Sequence, residues 1–281
     1  MKVLVVTNDQ TENDPAYGFS EFLMKRSEDS FTILSIVNKS TDKKYKFTHP
    51  AAKSSKIPQI EAKIRYGRFY EQVLFELNEG NYDLLIIADR RPKYLPARIY
   101  WGSTAVRLAE EAPCSVLIVR GKKRVIKRIL LCDSGMGSSS ILSRLVLNLA
   151  NLIEGDEDVT ILHVMSQISA GPGVDGKHLR EDADGLIADH TPEGEVLAHD
   201  IELLEKPGIH PSPKVRHGFV VEEILDEARS IDYDLVIIGA HPQTGTLHYL
   251  LENITHRILK EIDRSILVVR LNNQKSQIET S

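Results

Sequence analysis

Tyr82-Asp83-Leu84-Leu85-Ile86-Ile87-Ala88 and Tyr233-Asp234-Leu235-Val236-Ile237-Ile238-Gly239 are two versions of one stretch. Each opens on Tyr-Asp and runs into four consecutive large apolar residues. Such a run, without polar alternation, predicts a short strand buried on both faces. After each comes a loop, then a helical stretch, then a second apolar run. Those runs are Cys114-Ser115-Val116-Leu117-Ile118-Val119-Arg120 and Arg264-Ser265-Ile266-Leu267-Val268-Val269-Arg270. The openings repeat as well, Lys2-Val3-Leu4-Val5-Val6 against Arg128-Ile129-Leu130-Leu131-Cys132. The chain therefore reads as an internal repeat. One copy spans 1–123 and the other 126–272, joined by Gly121-Lys122-Lys123-Arg124, and 273–281 remain as a polar tail.

In the second copy the spacing predicts strands at Ile129–Cys132, Val159–Val164, Val215–His217, Asp234–Ile238 and Ile266–Val269. Asp133 to Ser138 is a turn. Ser138 or Ser139 then caps a helix with Leu142, Leu145, Val146, Leu149 and Ile153 on one face, ended by Gly155. Further helices are predicted at Glu195–Leu204 and Val221–Ser230. Buried strands alternating with helices imply a parallel sheet covered on both sides. The expected fold is thus α/β, with two tandem doubly wound, five-stranded parallel sheets of Rossmann-like type in strand order 3-2-1-4-5. Each copy's last strand lies at a sheet edge, and edges tend to be paired or covered. Val116–Val119 and Ile266–Val269 are therefore expected to meet, making the chain an intramolecular pseudo-dimer. The middles differ: 166–212 form a long insertion rich in turn formers, whereas Asn38–Pro58 of the first copy are basic and Ser/Lys-rich. The insertion reads either as a tolerated surface loop or as a partner or ligand surface. In the second case its part after Thr191 docks as a helix and its earlier part acts as a lid.

With 281 residues, 42% hydrophobic and 27% charged, the composition is that of a globular protein. No apolar run approaches the roughly 18 residues of a membrane span. The first residues read as a strand, without the apolar core of a signal peptide. A cytoplasmic location is expected. The two cysteines, Cys114 and Cys132, are not in a CxxC pair. They read as buried apolar residues, outside any disulfide framework or zinc ribbon. Nine of the ten histidines fall in the second copy, but no close HxxxH or HxH pair does, so no metal site is expected. Residues 1–123 carry 20 Lys+Arg against 15 Asp+Glu, and the rest 15 against 25. Drift in surface composition and steering of different partners both account for that split. The basic residues are too sparse for a nucleic-acid face.

These features together resemble the tandem universal stress protein family. Ala112-Pro113-Cys114 before the last strand resembles the family's entry into that strand. The two Tyr-Asp runs resemble its fourth strand. Trp101-Gly102-Ser103-Thr104-Ala105 resembles the Gly-Ser that opens its following helix, and Arg128 to Asp133 its first strand with a terminal aspartate. Nucleotide-binding members carry G-x2-G-x9-G-[ST] after the fourth strand, where backbone N–H groups and a helix N-terminus cradle phosphates. Here the pattern is broken twice. In the second copy Gly239 fills the first slot, but Pro242, Glu252 and Asn253 fill the others. Proline has no N–H to donate, and Glu252 is an anion where phosphate should sit. In the first copy Ala88 replaces the first glycine and Pro92 the second, while Gly102-Ser103 survive.

The resemblance implies cofactor contacts at Asn8, Gly102 and Ser103 in the first copy and at Asp133, Val164 and Gly239 in the second, and the charge of the basic loop adds Arg91 as a phosphate contact in the first. Each also has a purely structural reading: Ser103 as a helix cap, Arg90 to Lys93 with Arg98 as a solvated basic loop, Asp133 as a turn cap. No catalytic residue is assigned. The expected function is a non-enzymatic regulatory or stress-response module with partial adenine-nucleotide or anion binding, ATP or AMP being the candidate ligands. An unknown protein partner is expected, with a homodimer as a further option. The alternatives are an interaction module that has lost nucleotide binding and, least supported, a weak nucleotide hydrolase. No P-loop or G-x-S-x-G elbow occurs.

Overall fold

The computed structural model describes residues 1–7, 14–24, 29–37, 60–89, 104–121, 126–133, 156–165, 182–239 and 248–270. They form two compact units, Met1–Arg124 with Leu267–Ser281, and Val125–Ile266. The first holds β1 (Lys2–Thr7), α1 (Pro15–Met24), β2 (Ser30–Val37), β3 (Ile60–Tyr66), α2 (Phe69–Gly80), β4 (Leu84–Ala88), α3 (Thr104–Glu111) and β5 (Ser115–Val119). Its strands lie in the order β3-β2-β1-β4-β5, all parallel. The second copy of the repeat holds β6 (Arg128–Asp133), β7 (Glu157–Met165), α4 (Ala183–Ala188), α5 (Pro192–Leu204), β8 (Ile209–His217), α6 (Val220–Ser230), β9 (Leu235–Gly239), α7 (His248–Glu261) and β10 (Ser265–Val269), the unit boundary falling within β10 after Ile266. The same order recurs, β8-β7-β6-β9-β10, with parallel pairs on either side of β6.

The apolar runs are the fourth and fifth strands of each unit. Leu84–Ile87 and Leu235–Ile238 are buried along their length, as are Val116–Val119 and Ile266–Val269. Burying each such side chain stabilises the fold by about 1.5–3 kcal/mol. Helices cover the sheets with apolar residues at helical spacing: Ala105, Leu108 and Ala109 on α3, and Val221, Ile224, Leu225 and Ala228 on α6.

The repeated Tyr-Asp has a structural cause in both units. The Lys2 N–H donates to Asp83 Oδ2 (2.8 Å), and the Lys127 and Arg128 N–H groups donate to Asp234 Oδ2 (2.9 and 3.0 Å). The aspartate thereby ties the start of the fourth strand to the start of the first. The tyrosine, buried at Tyr82 and Tyr233, donates its hydroxyl to a buried carboxylate six residues earlier, Glu76 (2.7 Å) or Glu227 (2.8 Å).

Two differences from the sequence reading have clear causes. The third strand of the second unit is nine residues long, not three; Pro211 and Pro213, which read as strand breakers, lie within its first part. β8 is the outermost strand of its unit, where a missing N–H on the outer side costs no ladder bond. The insertion is also helical earlier than expected. Asp182 caps α4 through the Gly185 N–H (3.0 Å), and Thr191 caps α5 through the Gly194 N–H (3.0 Å), with Pro192 at its first position. Gly194 lets the two helices touch: a Cβ there would lie 2.0 Å from the Leu186 carbonyl oxygen. Leu197 and Leu204 are buried and anchor α5 in the core; of the residues expected to dock this helix, Leu204 is buried, whereas Val196, Ile201 and Leu203 are half-buried. Residues 166–181, the part of the insertion before these helices, lie outside the described residues, as do Asn38–Pro58 and the helix predicted over 139–153.

Candidate functional site

In open parallel α/β sheets, ligands bind beyond the carboxyl ends of the strands. In the second unit Asp133 is the last residue of β6, Gly239 the last of β9, and Val164 the penultimate residue of β7. Register aligns them. Cys132 pairs with Ile238, so Asp133 and Gly239 each lie one step beyond the last pair on neighbouring strands. Asp133 is level with His163, Val164 with Arg216, and Met165 with His217. Three of the seven residues singled out from the sequence thus share one sheet end. Asn8, Arg91, Gly102 and Ser103 lie outside the described residues, as do Arg90–Arg98, Pro92 and Pro242.

The first unit shows what replaces this set. Thr7 stands level with Ser35, as Asp133 does with His163, and the two buried hydroxyls are 3.4 Å apart. Ala88 corresponds to Gly239. Next to Ala88, Asp89 forms an ion pair with Arg120, whose Nε and Nη2 both lie 3.0 Å from Oδ2. Both side chains are nearly inaccessible, at 2% and 4% exposure. An acidic side chain therefore sits directly after β4, where the glycine pattern would begin to take phosphate. The sheet ends of the two units differ in chemistry: neutral hydroxyls and a closed ion pair in the first, a strand-terminal aspartate beside a buried histidine in the second.

His163, Asp89–Arg120 and Thr7–Ser35 escaped the sequence reading. The repeated carboxylate cluster did too, although its signal is present: Lys63-Ile64-Arg65-Tyr66-Gly67 against Lys214-Val215-Arg216-His217-Gly218, and Glu-x5-Tyr-Asp in both copies. In the first unit Glu76 receives Lys63 (2.9 Å), Arg65 (2.7 Å) and Tyr82. In the second, Glu227 receives Lys214 (2.7 Å), Arg216 (2.8 Å) and Tyr233. Burial pushes both carboxyls up, but the donors outweigh it and hold them below the ordinary carboxylate value. Fully bridged carboxylates of this kind fasten strand to helix. Each K-x-R-x-G run ends in a glycine of positive φ, Gly67 (147°) and Gly218 (155°), whose N–H donates to the end of the neighbouring strand at Val37 or Met165. A Cβ at Gly218 would lie 2.5 Å from Glu223 Oε1.

Burial pushes the Cys114 thiol up to about 12, only partly countered by the Arg270 charge, so it is neutral near pH 7 and no nucleophile. No group of three or more metal-ligating side chains is assembled among the described residues. No helix among them is long and apolar enough to cross a membrane.

The fold and the repeated sheet ends define a doubly wound α/β protein with two copies of one five-stranded unit in tandem. Residues 43–120 and 126–270 match the Universal stress protein family. Together these are well over half of the sequence, and the chain belongs to that family. It is similar to universal stress protein MJ0531 of Methanocaldococcus jannaschii, 25% identical over 153 residues, which are 54% of this chain and 87% of that protein. Universal stress protein MJ0577 of the same organism is 28% identical over 128 residues, 42% of this chain and 79% of that protein. Among solved structures, the functionally unknown protein PA1789 of Pseudomonas aeruginosa PAO1 shares the fold at 13% identity, with a TM-score of 0.68 over 97% of this chain and 93% of its own. A universal stress protein from Archaeoglobus fulgidus DSM 4304 does so at 15% identity, with a TM-score of 0.57 over 98% and 97%.

Proposed function

We propose that this universal stress protein is a non-enzymatic regulatory module of the cytoplasm whose second unit takes an adenine nucleotide without a full phosphate cradle. The observation that carries this reading is the placement of Asp133, Val164 and Gly239 at one sheet end, against the Thr7–Ser35 and Asp89–Arg120 arrangement in the first unit. A carboxylate at a strand end accepts hydrogen bonds from a base or a ribose hydroxyl, and a glycine beside it leaves room for close backbone approach. Pro242 and Glu252 weaken the phosphate end. Any anion contact in the first copy falls to Arg91, Gly102 and Ser103, with Asn8 at the base end. Domains 1–123 and 126–272 form an intramolecular pseudo-dimer, and the nucleotide state is passed on to a protein partner.

Isothermal titration of the full chain with AMP and with ATP tests the ligand. The expected result is one AMP site per chain, with ATP bound no more than a few-fold more tightly, because the added phosphates gain few donors. ATP binding a hundredfold tighter than AMP contradicts the weakened cradle. Absence of binding by both favours the module that works by protein contact alone.

A further inference from the structure

We infer that Phe219 is a stacking surface for the planar base of a nucleotide bound at the second unit, an inference that rests on the adenine-nucleotide reading of that site. Phe219 is 71% exposed, the most exposed of the large apolar side chains among the described residues. Ordinary structural reasons do not account for it. It is the N-cap of α6, with extended backbone (φ −80°, ψ 126°), and its side chain makes no capping hydrogen bond. Serine, threonine, aspartate or asparagine there would satisfy a free N–H of the first turn, so phenylalanine forgoes a cap and gains little burial. A local rule broken without a compensating contact points to a functional position.

The location supplies the ligand. Phe219 follows β8 after one residue, Gly218, whose N–H donates to the Met165 carbonyl (3.2 Å). That bond fixes the β8–α6 turn against the end of β7, next to Val164. Phe219 thus stands at the same sheet end as Asp133, Val164 and Gly239, beyond the outermost strand β8. Edge contacts from strand ends leave the two faces of a base uncovered. An aromatic side chain covers such a face without regard to base identity. In the first unit the equivalent position is Arg68, 85% exposed and paired with Glu71 at 3.2 Å, so the two copies part in chemistry here as they do at Thr7 and Asp133.

Phe219→Ser tests the inference, because it is expected to move stability and binding in opposite directions. A serine cap should raise the urea midpoint, while AMP affinity falls about tenfold. Phe219→Trp should keep wild-type affinity and add an indole whose emission changes on AMP binding, against a background of Trp101 alone. If wild type binds AMP and Phe219→Ser binds it equally well, the stacking surface is wrong and the nucleotide reading stands. If wild type binds no AMP, the nucleotide reading falls and the stacking surface with it.

Discussion

Replacing Glu227 by alanine is expected to remove about 3–5 kcal/mol of stability from the second unit, the usual cost of stripping one partner from a buried charge cluster. Glu227 is 0% exposed and receives Lys214, Arg216 and the Tyr233 hydroxyl. Its loss strands the buried Tyr233 hydroxyl and removes the carboxylate that Lys214 and Arg216 share. Glu76→Ala should do the same to the first unit through Lys63, Arg65 and Tyr82. The acid limb gives a second readout. Both carboxyls are held below their ordinary value of 4.5 in the folded chain. Their contribution is therefore complete above that unfolded value and disappears as pH falls through the lower folded one. The gap between wild type and Glu227→Ala should be widest near neutral pH and narrow as pH falls below the ordinary carboxylate value. Urea unfolding at several pH values checks this. Equal stability at neutral pH would show that the cluster does not fasten the helix to the sheet.

Asp89→Ala is the second large effect. It leaves the Arg120 guanidinium buried without the carboxylate that both its Nε and Nη2 meet, and should also cost about 3–5 kcal/mol. The double substitution Asp89→Leu with Arg120→Met should recover most of that loss, since an apolar pair of similar volume has no desolvation to offset. Urea midpoints for the two variants decide the matter. A double variant no better than Asp89→Ala would mean that the ion pair fixes the β4 end in a way that packing cannot replace.

The most apolar strands were legible because a strand buried on both faces must be continuously apolar, and β4, β5, β9 and β10 are. The edges were less so. β8 contains Pro211 and Pro213, which read as breakers until its place at the rim of the unit is known. The insertion read as turns up to Thr191 because α4 is short and its start, Asp182-Ala183-Asp184-Gly185, is rich in turn formers. Tyr-Asp was read as the signature of a strand, while its partners were invisible: Glu76 and Glu227 look like solvated charges on amphipathic helices, and only their repeat at a fixed distance before tyrosine marks them as buried. At the candidate site, register alone brings Asp133, Val164 and Gly239 to one sheet end, which a linear motif anticipates. Neither Asp89–Arg120 nor His163 belongs to that motif, and their significance comes from which strand stands beside which.

Equilibrium binding of AMP to wild type, Asp133→Ala and Thr7→Val measures the central claim that the two copies differ in ligand function. The account predicts that Asp133→Ala weakens AMP at least tenfold, as the loss of a charge-assisted hydrogen bond requires, and that Thr7→Val leaves it unchanged. Wild-type affinity in Asp133→Ala, or loss of binding in Thr7→Val, would contradict it.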